Sequence, residues 1–208
     1  AGVNVSPFDG DPENAQLYRY YQNTRPGVTR TELAQRNGGD DILEMMEKQS
    51  PDVILADVAA GGSQILMQLE KDARFLSDAA EMGYRFSIVS VLSPIKDSIS
   101  MLNEAISNTE GHDVQHIAVK NLHFGKTDDF ELFDASNTKK RFDHNNGIII
   151  TMPDLFDKTY GAIDKHNLPF ATATKKDCGL PRGDRNRIRQ WLTRLRDQML
   201  LTNGALGL

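Results

Sequence analysis

Apolar residues in the first half of the chain are grouped into a strand-sized run and two helical stripes. Residues 53–56 (VILA) are apolar without alternation, which is typical of a strand covered on both faces of a parallel sheet, and the run ends at Asp57. A short helix capped by Asp40 or Asp41 precedes it, and the periodicity of residues 63–82 predicts a longer helix after it.

The same cycle of strand and helix repeats in the second half. Residues 86–92, 114–119 and 148–150 predict strands, and residues 99–106 and 155–163 predict helices. We interpret the polar segment 126–146 as a loop or a hairpin insertion. Because strands that alternate with helices form parallel sheets, the predicted fold class is α/β, a three-layer parallel sheet with helices on both faces.

Composition and charge narrow the class of protein. The 208 residues are 39% hydrophobic and 25% charged, with one cysteine, which fits a globular chain without a disulfide framework. We find no apolar run near the roughly 20 residues that span a bilayer and no signal peptide, so we expect a cytoplasmic protein. The net charge is −5, yet residues 175–196 carry +6, so an acidic body precedes a basic tail.

Polar side chains stand where the predicted strands end. These residues are Asp9, Asp11, Asp57 and Asn121. In parallel sheets, catalytic and ligand-binding side chains commonly lie at the carboxyl ends of the strands. Acidic residues and an amide at one edge of a sheet predict a site for a metal ion and phosphate groups.

Four segments resemble motifs of the ParA/MinD group of deviant-Walker P-loop ATPases, and the plasmid mobilisation and stability branch (TraL-like, StbC-like) is the most similar. They are residues 8–15 (FDGDPENA), 52–62 (DVILADVAAGG), 91–98 (VLSPIKDS) and 117–121 (IAVKN). The likeness covers roughly residues 3–170. It implies a P-loop NTPase-like domain over residues 1–174 followed by a basic amphipathic helix over residues 175–208.

The resemblance also implies roles and partners. Asp57 would bind Mg²⁺ as the Walker B aspartate, and Asp9 and Asp11 would be catalytic residues at the γ-phosphate of ATP. Asn121 would contact the adenine edge, and Asn14 would be a second nucleotide-binding residue. The protein would be a nucleotide-dependent homodimer that serves plasmid partition, mobilisation or conjugative transfer, with DNA or a partition or relaxosome protein as its partner. From the residues alone, a helix N-cap at Asp57 and turn residues at the other positions remain open.

One departure from the family is severe. The pattern G-x-x-x-x-G-K-S/T, whose backbone N–H groups cradle phosphates, is absent, and residues 125–127 (GKT) lack its first glycine because position 120 is lysine. We expect that the chain is a piece of a longer protein and that the first strand, loop and helix of that protein are absent from this sequence. In the family the first strand lies beside the Walker B strand, here residues 53–57, and without it these apolar residues would lack a pairing partner. The alternatives are a non-catalytic adaptor or DNA-binding accessory protein, and a different doubly wound fold.

The basic tail has three interpretations. Residues 183–201 predict a helix with an apolar stripe and arginines elsewhere. It could dock on the core, contact nucleic acid through its arginines, or bind an anionic membrane surface.

Overall fold

The computed structural model describes residues 2–59 and 61–207, in which strands and helices alternate. The strands are β1 (Val5–Asp9), β2 (Thr29–Arg30), β3 (Val53–Asp57), β4 (Phe86–Leu92), β5 (Val114–Asn121) and β6 (Ile148–Met152). The helices are α1 (Gln16–Tyr21), α2 (Asp40–Gln49), α3 (Gly62–Ala73), α4 (Phe75–Glu81), α5 (Lys96–Asn108), α6 (Glu131–Asp134), α7 (Asn137–His144), α8 (Asp157–Lys165), α9 (Phe170–Ala173) and α10 (Arg182–Leu200). The α/β class is therefore confirmed.

The described strands form two three-stranded sheets, in the orders β2-β1-β3 and β4-β5-β6, where we expected one sheet. The chain also divides into two compact units, whose boundaries fall within β4, α5 and β5. The first contains residues up to 88, residues 104–115 and Gly207, and the second contains residues 89–103 and 116–206. The division predicted from the sequence at residue 174 stays a prediction.

The first unit is built around parallel strands and one apolar cluster. β1 pairs with β2 on one side and with β3 on the other, and Asp9 is the register partner of Asp57. The cluster consists of Phe8, Leu33, Ile42, Met46, Leu69, Phe75 and Ala79. Because β1 is the central strand, its carboxyl end lies between the ends of its two neighbours.

The second unit is organised around β5. This strand is buried from His116 to Lys120, and it pairs with the parallel β6 so that Asn121 is the register partner of Met152. β4 is an edge strand of this sheet, and its Val89 and Val91 side chains are exposed. The basic helix α10 contacts β6, α8 and α9 within this unit.

The predicted covering of β3 on both faces is wrong for its carboxyl half. Val53 and Ile54 are half-buried, whereas Leu55 is 49% exposed and Asp57 is exposed. β3 hydrogen-bonds to β1 along one edge, and along the other edge no strand of the described chain pairs with it. The prediction assumed that β3 is a central strand with both of its faces covered, whereas among the described residues β3 is an edge strand.

The single helix predicted over residues 63–82 is also wrong, because the chain breaks it at Arg74. Arg74 adopts a left-handed conformation with φ 51° between α3 and α4. The Glu70 carboxylate accepts hydrogen bonds from the backbone N–H groups of Leu76 (2.6 Å) and Ser77 (3.1 Å) at the start of α4. A side chain of α3 thus satisfies donors that a helix start leaves unpaired.

The segment 126–146 is helical, which contradicts the predicted loop or hairpin. It contains a 3-10 turn (Thr127–Phe130), α6 and α7. Phe130, Phe133 and Phe142 are 0%, 1% and 0% exposed, and the rings of Phe133 and Phe142 meet edge to face at 6.1 Å. The burial of these three aromatic rings stabilises a segment whose average composition is polar.

Candidate functional site

The carboxyl ends of β1 and β3 bring two of the predicted site residues together. Asp9 and Asp57 are the final residues of these strands and are register partners. The Gly10 N–H donates to the Asp57 backbone oxygen at 2.7 Å. A Cβ atom at Gly10 would lie 2.6 Å from the Leu33 side chain and 3.2 Å from that same oxygen, so glycine permits this close approach.

Asp9 is buried, and both oxygens of its carboxylate are engaged by the backbone. It is 1% exposed, and its Oδ2 accepts a hydrogen bond from the N–H of Tyr18 (2.7 Å) in the first turn of α1. Its Oδ1 accepts one from the N–H of Asp11 (3.1 Å). Asp9 therefore ties the loop after β1 to α1. Its bond to the Asp11 N–H fits the turn interpretation that the sequence left open, whereas the bond to α1 was not predicted.

Asp11 and Asn14 lie in the turn that follows. The Asp11 Oδ1 accepts from the N–H groups of Glu13 (3.0 Å) and Asn14 (2.9 Å), which is the turn interpretation that the sequence left open. The Asn14 Oδ1 accepts from the Gln16 side-chain amide at 2.6 Å. Asp11 thus organises a turn beside Asp9, and its catalytic role stays a prediction, as does nucleotide binding by Asn14.

Asp57 is the carboxylate whose ionisation the site disfavours. Burial by surrounding protein atoms raises its pKa first, although the residue retains solvent contact, and the negative charges of Asp9 and Asp11 raise it further. A backbone hydrogen bond from Val58 acts in the opposite direction. The raised pKa of Asp57 thus follows first from desolvation and then from the charges of Asp9 and Asp11, and a positive charge at this place would offset both.

Residues 2–59 and 61–207 contain no set of three or more His, Cys, Asp or Glu side chains that could hold a metal ion. The predicted metal role of Asp57 used a single protein carboxylate together with nucleotide phosphates, so it stays a prediction.

Asn121 belongs to the second unit, where it ends β5. Its side-chain oxygen accepts a hydrogen bond from the N–H of His123 at 3.1 Å, so the amide closes the turn after the strand. The His123 Nδ1 lies 3.2 Å from an oxygen of Asp154, which follows the adjacent strand β6. Adenine contact by Asn121 stays a prediction. The pairing of His123 with Asp154 was not predicted from the sequence, because the two residues are far apart in the chain.

The second unit also carries a groove of about 360 Å³ that the sequence analysis did not predict. We call it the α10 groove. It lies between the loop after β6 and one face of α10, and its lining includes Leu155, Phe156, Arg187, Gln190, Trp191 and Arg194. The available signal was the spacing of residues 187, 190, 191 and 194, which places them on one helical face.

Comparison with known proteins gives one informative similarity. The chain is 24% identical to Protein MobD of Acidithiobacillus ferrooxidans over 196 residues, which cover 91% of this chain and 80% of that protein. No protein-family model matches the chain. No solved structure matches it either. The similarity supports a mobilisation-related protein, while the assignment to deviant-Walker ATPases is unconfirmed.

Among the described helices, none combines the length and the apolar character that crossing a bilayer requires.

Proposed function

We propose that this chain acts in plasmid mobilisation as a nucleotide-dependent switch of the ParA/MinD type. The observation that carries the mobilisation role is the similarity to MobD across nine-tenths of the chain. The position of Asp57 at the carboxyl end of β3, beside Asp9, supports the switch, because one carboxylate at the end of a parallel strand suits a metal ion that is otherwise bound by phosphates.

Each residue of the site has a proposed task. Asp57 holds Mg²⁺, which when bound neutralises charge on the β- and γ-phosphates of ATP. Asp11 positions water or senses the γ-phosphate from its turn. Asp9 acts with it chiefly by holding the loop to α1, since both of its carboxylate oxygens accept backbone hydrogen bonds. Asn14 and Asn121 are the proposed nucleotide contacts.

The open edge of β3 supports a further part of this proposal. We infer that an additional strand pairs with β3 and leads into the phosphate-binding loop that the 208 residues lack. Leu55 is 49% exposed on a strand whose second edge is unpaired within the described chain, so it offers a surface that a neighbouring element could cover. A paired strand would supply backbone hydrogen bonds to β3, and its helix would cover Leu55.

A fusion experiment tests the nucleotide proposal. A strand, a glycine-rich loop ending in Gly-Lys-Ser and a helix are fused before residue 2, and Mg-ATP affinity is measured by titration calorimetry. We expect the fusion to bind Mg-ATP more tightly than the unfused chain and to dimerise with it in light scattering. Replacement of the loop lysine by alanine is the matched control. An affinity equal to that of the unfused chain would contradict the proposal.

The metal role of Asp57 is tested in the same fusion. Asp57→Asn is expected to weaken the dependence of ATP binding on Mg²⁺, because it removes the proposed ligand charge. Asp113→Asn removes an equal charge from an exposed residue of the same unit and should leave that dependence unchanged. Equal effects of the two substitutions would show that Asp57 is not the ligand.

A second candidate function is a non-catalytic adaptor in mobilisation that keeps this fold without hydrolysis. The observation that favours it is the absence of a G-x-x-x-x-G-K-S/T pattern from the sequence. Plasmid transfer frequency in cells separates the two candidates. Asp57→Asn in the natural gene should lower transfer if the protein is a switch, and should leave transfer unchanged if it is an adaptor.

A further inference from the structure

The α10 groove combines positive charge with an exposed aromatic ring. Arg187, Gln190, Trp191 and Arg194 line it from one face of α10, and Phe156 lines it from the loop after β6. Phe156 is 51% exposed, and the Arg187 guanidinium lies over its ring at 5.3 Å from the centroid. A cation on an aromatic ring beside open space is a combination that favours stacking of a further planar group.

The loop that carries Phe156 is held in place by hydrogen bonds. The backbone oxygen of Phe156 accepts hydrogen bonds from the N–H groups of Thr159 (2.8 Å) and Tyr160 (3.0 Å) at the start of α8. The Trp191 indole N–H donates to the backbone oxygen of Pro153 at 2.6 Å, and its ring stacks on Phe170 at 4.9 Å. The loop after β6 is therefore fixed to α10, so a ligand that stacks on Phe156 would not have to order the backbone that carries this ring.

The charge of the groove comes mainly from Arg194. Its side chain is exposed and, within the described part of the chain, forms no ion pair or hydrogen bond. Arg187 is partly compensated by Asp184 at 3.0 Å. Asp154, which also lines the groove, lies 3.2 Å from His123. Arg194 is thus the arginine of the groove that is free to meet an anionic ligand.

We propose that the α10 groove binds single-stranded nucleic acid, with a base stacked on Phe156 and a backbone phosphate at Arg194. Proteins that bind single strands combine basic grooves with stacking aromatic side chains. Residues 175–196 carry +6 on a chain of net charge −5, so a polyanion approaches through this region. A duplex hides its base faces, and a lipid headgroup has no planar ring to stack. The inference goes beyond the proposed switch, because binding of a single strand at this groove requires no ATP.

Fluorescence anisotropy with a labelled oligothymidylate and the full chain tests the site. Phe156→Ala is expected to weaken binding about 5- to 150-fold, the measured range for loss of one base–aromatic stack. Arg194→Ala should reduce the slope of log affinity against log salt by about 0.7, the value for one lost phosphate contact on a single strand. Arg196→Ala removes the same charge from an exposed position of α10 outside the groove lining, and should change the slope less.

The outcomes are distinct. Equal effects of Arg194→Ala and Arg196→Ala would overturn the groove, because net charge alone would then explain binding. If Phe156→Ala unfolds the chain by circular dichroism, Phe156→Leu keeps an apolar side chain at the turn and must still weaken binding. Binding to phosphatidylglycerol vesicles without binding to the oligonucleotide would assign the groove to a membrane and overturn the proposal. Since no ATP is present, failure of nucleotide binding leaves this result intact.

Discussion

Replacement of Asp9 by alanine tests whether this carboxylate is a structural member of the site. The substitution removes the acceptor for two backbone N–H groups, those of Tyr18 and Asp11, at a residue that is 1% exposed. Hydrogen bonds to charged groups contribute roughly 1.5–3 kcal/mol each, and a lost partner leaves its donor unsatisfied. We expect a loss of about 3 kcal/mol in the free energy of unfolding.

That loss translates into a measurable shift in melting temperature. A chain of this size loses roughly 2–4 °C per kcal/mol, so Asp9→Ala should melt about 6–12 °C lower in calorimetry. Amide exchange of the Tyr18 N–H should accelerate, because its acceptor is gone. Asp9→Asn keeps one acceptor oxygen and should have an intermediate effect.

The neighbouring carboxylate provides the control. Asp11 also accepts two backbone N–H groups, yet it does so in an exposed turn where water can replace it. Asp11→Ala should therefore cost less than about 1 kcal/mol. Equal melting temperatures for the two alanine variants, or an unchanged exchange rate at Tyr18, would refute the structural role of Asp9.

Three further predictions follow from other parts of the structure. Folding raises the pKa of Asp57, so the folded chain loses stability as the pH rises through the folded pKa and this carboxyl ionises. Asp57→Asn should therefore stabilise the chain at neutral pH and flatten that part of the pH profile of urea denaturation. Lys120 is 5% exposed and pairs with Asp134 at 2.7 Å. Asp134→Asn leaves this buried charge unpaired and should lower the free energy of unfolding in urea by roughly 1–3 kcal/mol, and the additional substitution Lys120→Met removes the charge and should restore that free energy. A Cβ at Gly147 would lie 2.4 Å from a buried phenylalanine ring, so Gly147→Ala should cost about 1–3 kcal/mol, whereas Gly161→Ala in α8 meets nothing within 4 Å and should stabilise by about 0.5–1 kcal/mol in thermal melts.

The positions of several strands and of the basic helix could be predicted from the sequence. Residues 53–57 form β3 and residues 86–92 form β4 as predicted, and α10 spans nearly the predicted 183–201. These elements were accessible because each is specified by its own run or period of apolar side chains. The meeting of Asp9 and Asp57 was anticipated in the same way, since parallel strands end at one edge of a sheet.

Side-chain contacts that reach beyond one helical turn decided the features that periodicity missed. The break at Arg74 depends on Glu70 accepting hydrogen bonds at the start of α4, six and seven residues along the chain. The helices of 126–146 depend on the burial of aromatic rings. The α10 groove requires the loop after β6 to meet one face of α10. Local periodicity contains none of this information, because it reports which side of an element is apolar and not what covers it.

The sequence by itself therefore determined the alternation of strands and helices and the residue types at the strand ends. Only the tertiary structure decided that the described strands form two sheets, that β3 has an unpaired edge among them, and that Asp9 is buried under backbone hydrogen bonds. The physical reason is that the preference of a segment for strand or helix is local, whereas pairing, burial and pKa depend on neighbours that are remote in the chain.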